Sequence, residues 1–177
     1  FPRRSYVYYD TNGDQTMSIL KVDTINEKTT GNGVLIPGHV VQVKTGGSSG
    51  YTTTTSTTGV DALTVSITPS ATTSNVFVMM NLNAITVSAI QKWMTLELYR
   101  DTTLVRRIHD DVGYSINHIN YNTDVTCNFL DDTVSTTSSV TYKLKMSTQS
   151  GVTVGFNNYG NANNRTSSIM TLMEIAG

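Results

Sequence analysis

The chain has 177 residues and a formal net charge of −1, with 38% hydrophobic and only 14% charged residues. It contains 30 Thr, 17 Ser and 15 Asn, which favour strands and turns, so the composition predicts an all-β protein rather than a helical bundle or coiled coil. The charge excludes the basic field needed for nonspecific nucleic-acid or anionic-membrane binding, and the longest apolar run, residues 76–80, is too short for a membrane span.

Residues 1–45 contain short apolar pieces separated by turn residues, and none of these pieces is long enough to bury itself. Such a segment finds partner strands either in the main domain or on neighbouring copies of the same chain. The first residue is Phe1, which leaves a processed chain, a fragment and an upstream extension as alternatives. We treat residues 1–45 as a separate N-terminal segment.

Residues 46–59 form an uncharged tract that begins with glycines and continues as a run of Thr and Ser. Composition alone leaves two interpretations, a flexible connector and an extended strand. The extended strand is favoured because Thr rather than Gly dominates the second half.

Residues 60–177 show the alternation of apolar and polar residues that is typical of half-buried strands. About eight short strands with turn residues between them predict an antiparallel two-sheet sandwich of the jelly-roll kind. The predicted strands fall at residues 63–67, 76–85, 94–98, 104–108, 125–130, 140–146, 152–156 and 169–175. Cys127, the single cysteine, is expected to be a small strand residue.

Two stretches resemble a known group of proteins. The segment SILKVDTINEKTTGNGV at residues 18–34, followed by IPGHVVQV at 36–43, resembles a connector in tail-fibre and related virion proteins of marine and cyanobacterial phages. The segments DDTVSTTSSVTYKL at 131–144 and SIMTLMEI at 168–175 resemble the jelly-roll domain that follows that connector. The resemblance covers residues 18–177, whereas residues 1–16 match no pattern of that family.

The resemblance implies a non-enzymatic phage structural protein that is a homotrimer, is assembled in the host cytoplasm and resides in the virion. The expected role is a tail fibre or spike tip for host attachment, and the alternative is a capsid decoration protein that stabilises the shell; other phage structural proteins are expected partners. The candidate residues of a core shared around the threefold axis are Ile19, Val22, Ile25 and Val34. The candidate residues that anchor the chain to the virion are Arg3, Arg4, Tyr6, Tyr8 and Tyr9.

No catalytic, metal or cofactor motif emerges from the sequence. The three histidines lack a second ligand at metal-binding spacing, and the acidic run that starts at Asp10 lacks the Gly and Glu of a calcium loop. His109 with the two following aspartates is interpreted as a charged loop after a strand. Glu97, Glu174 and the neighbours Asp131 and Asp132 are nominal candidates for the carboxylate pair of a sugar-degrading spike, although structural roles are preferred for them.

Two polar loops are the candidate binding regions, because loops on a rigid sandwich can vary without damage to the core. Aromatic faces cover the apolar side of a sugar ring, while Asn and Arg side chains bond its hydroxyls, so a host-surface glycan is a candidate partner. The candidate glycan contacts are Tyr114, Asn117, His118, Tyr121, Asn157, Tyr159, Asn163 and Arg165.

Overall fold

A computed structural model describes residues 36–120, 122–149, 151–157 and 166–177. These residues form ten strands, and the compact unit to which they belong starts at Leu35. The strands are β1 (Val40–Ser48), β2 (Thr52–Thr54), β3 (Val60–Ile67), β4 (Asn75–Val87), β5 (Met94–Arg100), β6 (Thr103–Val112), β7 (Thr123–Asp131), β8 (Val140–Thr148), β9 (Val154–Phe156) and β10 (Ser168–Ile175). All candidate anchoring and shared-core residues lie outside the described residues.

Eight of these strands pair as one long hairpin that is rolled up on itself. β1 pairs with β10, β3 with β8, β4 with β7 and β5 with β6, and every pair is antiparallel. Additional pairing of β10 with β4 and of β5 with β8 completes two sheets, ordered β1-β10-β4-β7 and β3-β8-β5-β6. This strand order is that of a jelly roll, so the predicted fold class is confirmed. The short strand β9 pairs with the last two residues of β4, Thr86 and Val87, and β2 pairs with β9.

The compact unit includes residues that the sequence assigned to an N-terminal segment and a connector. β1 crosses the expected boundary at residue 45 and pairs with β10 from Val40 to Ser48. β2 lies within the Thr-rich tract and pairs with β9, as an extended strand rather than a connector. The sandwich therefore begins near residue 35 rather than at residue 60.

The core lies between the two sheets and is built by side chains that alternate along each strand. In β8 the buried positions include Tyr142 and Leu144, and in β5 they include Leu96 and Leu98, all as the alternation predicts. Cys127 is buried in β7, as expected, and its burial raises the pKa of the thiol.

In the last strand the sequence pattern predicts that Ile169, Thr171, Met173 and Ile175 form the buried face, but the structure buries the opposite face. In β10 the buried residues are Met170, Leu172 and Glu174, whereas Ile169 is 42% exposed. Both faces of this strand carry large apolar side chains, so hydrophobicity alone does not determine which of the two faces is buried. The inward direction of Glu174 is explained by the polar groups that it meets at the end of the sandwich.

Asp131, at the end of β7, connects the two sheets. Its side chain is 1% exposed and accepts hydrogen bonds from Arg100 Nη1 at 2.6 Å, Tyr142 Oη at 2.8 Å and Thr133 Oγ1 at 2.7 Å. Burial alone would raise the pKa of Asp131, but the bonds from Thr133 and Tyr142 and the charge of Arg100 outweigh it and lower the pKa. Because Arg100 and Tyr142 lie in the other sheet, this carboxylate holds the sheets together at one end.

Glu174 forms a second buried carboxylate centre at the same end. Its Oε1 accepts hydrogen bonds from the backbone N and Oγ of Ser70 at 2.7 and 2.6 Å and from Ser74 Oγ at 2.7 Å. Its Oε2 accepts a bond of 2.7 Å from Gln42 Nε2. Burial would raise the pKa of Glu174, but these hydrogen bonds stabilise the carboxylate and lower the pKa. The first strand, the last strand and the β3–β4 turn are thereby joined.

We predict that Asp131→Asn lowers the free energy of unfolding by about 2–4 kcal/mol, because an amide NH2 then faces the donors of Arg100 or Tyr142. Chemical denaturation followed by circular dichroism measures the loss. The matched control is Asp132→Asn, which changes the exposed neighbour and is expected to stay within about 0.5 kcal/mol of the parent. Equal losses in both variants would contradict the inter-sheet role of Asp131.

We predict that the stability conferred by Glu174 is lost in acid. A carboxyl whose pKa is lowered by folding stabilises the protein above its ordinary pKa, here 4.5, and ceases to do so as the pH falls below that value. Glu174→Gln should therefore be less stable than the parent at neutral pH, and the difference should shrink between about pH 5 and pH 2. Thermal melts across this pH range measure it, and a difference that does not change with pH would show that the prediction is wrong.

Candidate functional site

The outer face of the second sheet carries a row of alternating charges. Asp61, Lys145, Glu97 and Arg107 lie side by side on four successive strands. Lys145 Nζ is 2.6 Å from Asp61 Oδ1, and Arg107 Nη2 is 2.9 Å from Glu97 Oε1. Cross-strand pairs of opposite charge are compatible with water, so this face is a solvent face.

The outer face of the first sheet also carries a row of side chains across four strands, and these side chains are apolar. Val43, Met173, Phe77 and Leu130 lie side by side on β1, β10, β4 and β7. Val43 is 50% exposed and Leu130 is 45% exposed. Further apolar residues that belong to the same face are Val40, Met79, Ile169 and Ile175. We call these eight residues the apolar face.

A pocket opens at the other end of the sandwich from the buried carboxylates. It has a volume of about 400 Å³ and is lined by Trp93, Asp110, Asp111 and Tyr114. The rings of Trp93 and Tyr114 are 6.2 Å apart between centroids and inclined by 50°, so they form two walls that meet at an angle. We call this cavity the aromatic pocket.

The strand register brings the pocket residues together. Met94 at the start of β5 pairs with Val112 at the end of β6, which places Trp93 beside the chain that leaves β6. Gly113 then turns that chain with φ +78°, and a Cβ there would lie 2.7 Å from Val87 Cγ2, so the turn requires glycine.

The loops around the pocket are held by backbone hydrogen bonds. Gln91 N donates to Ser115 O at 2.7 Å, and Asn120 N donates to Val87 O at 2.8 Å. Thr148 Oγ1 donates to Trp93 O at 3.3 Å, which fixes the residue before β5. The aromatic pocket is therefore formed in the free protein.

The pocket rim carries two carboxylates, and one of them is paired with an arginine. Asp110 Oδ1 lies 3.2 Å from Arg107 Nη1, and Glu97 accepts bonds from the Nε and Nη2 of the same guanidinium. Asp111 Oδ1 lies 3.1 Å from His109 Nδ1, while the backbone N of Asp111 donates to that ring nitrogen at 3.3 Å. The rim therefore has two carboxylates, Asp110 and Asp111, beside one arginine, Arg107, which Glu97 also shares.

Three of the candidate glycan contacts occupy the region of the pocket. Tyr114 forms one wall and is 47% exposed. Asn117 and His118 are exposed, and their backbone N–H groups donate to Ser115 Oγ, which shapes the turn. Tyr121, Tyr159, Asn163 and Arg165 lie outside the described residues.

Asn157 has a structural role instead of the predicted ligand contact, because it is fully buried. Its Nδ2 donates to Ser48 O at 2.7 Å and to Gly50 O at 3.1 Å, and its Oδ1 accepts a bond of 2.7 Å from Ser168 Oγ. Its backbone φ of +62° is one that Asn tolerates well. These bonds leave the amide no surface to offer to a ligand.

The remaining candidates for chemistry have structural positions. Asp131 and Glu174 are enclosed by their hydrogen bonds, and Glu97 is bound to Arg107. His109 lies in β6 itself, rather than in a loop after a strand. Within the described ranges, no group of three His, Cys, Asp or Glu residues is arranged to hold a metal ion, and no helix is long and apolar enough to cross a membrane.

Trp93 is the functional candidate that the sequence analysis did not identify. The sequence signal was present, since Trp93 is the single tryptophan and stands just before a strand, after the polar pair Gln91 and Lys92. Its partner Tyr114 is 21 positions away, and only the β5–β6 register shows that the two rings meet.

Comparison with known proteins identifies no family and gives a distant structural likeness. No protein family and no curated protein matches the sequence. Among solved structures, the chain is similar to VP2 in the crystal structure of the infectious bursal disease virus VP2 subviral particle, with 17% identity and a TM-score of 0.43. The match covers 77% of this chain and 33% of that chain, so this chain spans about a third of the viral protein. The class that the structure defines is an antiparallel jelly-roll sandwich.

We predict that Tyr114→Ala shifts the fluorescence of Trp93 to longer wavelength, because removal of one wall exposes the indole of the other to water. The chain has one tryptophan, so its emission reports on the pocket alone. Leu104→Ala, a similarly exposed position at the opposite end of β6, is the control and should leave the spectrum unchanged. Identical spectra for the parent and Tyr114→Ala would contradict the contact between the two rings.

Proposed function

We propose that this chain is a non-enzymatic structural protein of a phage particle, which assembles as a homotrimer and serves as a tail fibre or spike tip for host attachment. The observation that carries the proposal is the contrast between the outer faces of the two sheets. One face has a row of paired charges, and the other has a row of partly exposed apolar side chains across four strands.

The apolar face has the properties of an assembly surface. Contiguous apolar patches on soluble domains mark interaction sites, whereas single exposed apolar residues are ordinary. This patch also includes β1, an edge strand of nine residues whose Val40 and Val43 are each at least half exposed. Natural proteins cover or charge such edges to prevent uncontrolled pairing. A defined copy of the same chain is the covering that we propose.

The sequence before β1 extends the same argument. The apolar residues Ile19, Val22, Ile25 and Val34 precede the strand at short spacing, and we propose that three copies share them around one axis. Arg3, Arg4 and the tyrosines Tyr6, Tyr8 and Tyr9 come earlier still, and we propose that they anchor the trimer to the particle.

The position of the aromatic pocket supports attachment. Residue 36, where the N-terminal segment joins the sandwich, lies near the start of β4, because Val40 pairs with Ile175 and Ile175 with Asn75. The pocket loops lie against Val87 at the end of β4, roughly 40 Å away along the strand. The first described residues and the pocket thus lie at opposite ends of the sandwich, which is compatible with a spike tip that binds its ligand at the pocket end.

A capsid decoration protein is the second candidate, and the apolar face favours it as well. A four-stranded apolar face can lie on a shell as readily as on a second copy. The number of copies in purified particles distinguishes the two roles, because a tail fibre or spike is present in a few copies and a decoration protein in hundreds.

We predict that Leu130→Lys converts a trimer into a monomer, because a lysine at the β7 end of the apolar row loses its hydration when the face is covered. Light scattering and sedimentation of the full chain measure the mass. Leu104→Lys, at a residue of similar exposure on the charged sheet, is the matched control and should remain trimeric. A monomeric parent protein would overturn the proposed trimer. A trimeric Leu130→Lys variant would show that the apolar face is not part of the trimer interface.

A further inference from the structure

We propose that the aromatic pocket binds a positively charged ammonium group, and that its ligand is a sugar with a free amine. The inference rests on the proposed role in attachment and names the class of glycan that the protein recognises. Two aromatic walls and two carboxylates at the rim are the groups that carry it.

The aromatic walls provide the first part of the site. The faces of Trp and Tyr are electronegative and attract an ammonium group that lies within about 6 Å of the ring centroid. The rings of Trp93 and Tyr114 both line the cavity, with their centroids 6.2 Å apart and their planes inclined by 50°, so a small cation in the cavity lies near both rings. Because the loops are already held by hydrogen bonds, little ordering is needed on binding.

The carboxylates provide the second part and select the charge. The side chain of Asp111 is 70% exposed, and its Oδ1 lies 3.1 Å from Nδ1 of His109. Asp110 is 62% exposed and shares Arg107 with Glu97, so one guanidinium serves two carboxylates. The rim therefore keeps a negative potential, which attracts a cation and repels a carboxylated or phosphorylated ligand.

An uncharged sugar uses only part of this arrangement. Its apolar side can stack on Trp93 and its hydroxyls can donate to Asp110 or Asp111, but it gains neither the cation–π attraction nor the ionic term. The volume of about 400 Å³ accommodates one sugar ring with its amine, and the open rim lets a longer glycan continue into solvent.

Titration of the intact protein with glucosamine, N-acetylglucosamine and glucuronate tests the inference, with the emission of Trp93 and ligand-observed NMR as readouts. Near pH 7 most of the free amine is protonated, whereas acetylation removes the charge and changes the ring little. We expect glucosamine to bind at least about tenfold more tightly than N-acetylglucosamine, and glucuronate to bind most weakly. Salt should weaken the binding of glucosamine.

Equal affinity for glucosamine and N-acetylglucosamine would overturn the charge selection and leave a glycan site of another class. Absence of binding by all three sugars would overturn the pocket as a sugar-amine site. Neither result depends on the mass of the assembly, so a failure here is separate from a failure of the proposed trimer.

Asp111→Asn provides the matched variant, since this exposed side chain has no role in the core. We expect it to weaken glucosamine binding about fivefold and to leave N-acetylglucosamine unchanged. Asp132→Asn removes an exposed carboxylate beside the end of β7, remote from the pocket, and should leave both affinities at the parental values. Loss of equal size in both variants, or no loss with Asp111→Asn, would overturn the role of the rim carboxylates.

Discussion

The structure depends on antiparallel pairing of the chain with itself, from its outer strands inward. β1 pairs with β10, β3 with β8, β4 with β7, and β5 with β6. The pairing of β10 with β4 and of β5 with β8 forms when this ribbon is rolled into two sheets. Each strand then has one side in the core and one side outside. Because successive side chains point to opposite faces, the chemistry of the outer faces can change without change in the core. For this reason the second sheet can carry a charged row and the first sheet an apolar row on their outer faces.

Two buried carboxylates show how the ends of the rolled ribbon are joined. Asp131 connects the sheets through Arg100 and Tyr142, and Glu174 connects β10 to β1 and to the β3–β4 turn. In both, several hydrogen-bond donors of the protein replace the water that would solvate an exposed carboxylate. A buried acid stabilises a fold only under this condition. They lie at the end where the N-terminal segment enters, whereas the aromatic pocket lies at the opposite end. Structural acids and candidate ligand-binding acids are thus separated along the molecule.

Strand alternation allowed most of the fold to be predicted from the sequence, since β5 and β8 have one apolar and one polar face. Alternation did not identify the buried face of β10, where Met170 and Leu172 alternate with Ile169 and Met173, because both faces are apolar. The second face is apolar because it belongs to the outer row rather than to the core. The start of the domain was also placed too late, because the pairing of β1 with β10 joins residues that are at least 120 positions apart. Such pairing has no local signal in the sequence.

The candidate site was only partly predictable for the same reason. Tyr114 stood out by its type and its loop, whereas Trp93 became relevant only through the strand register that places it beside Tyr114. Asn157 had the right residue type for a sugar contact, but its amide is occupied by hydrogen bonds to two backbone carbonyls.

The distance between the start of β1 and the pocket has a mechanical consequence. A pull between these two ends acts along β1 and β10, so that many hydrogen bonds resist it together in shear instead of opening one after another.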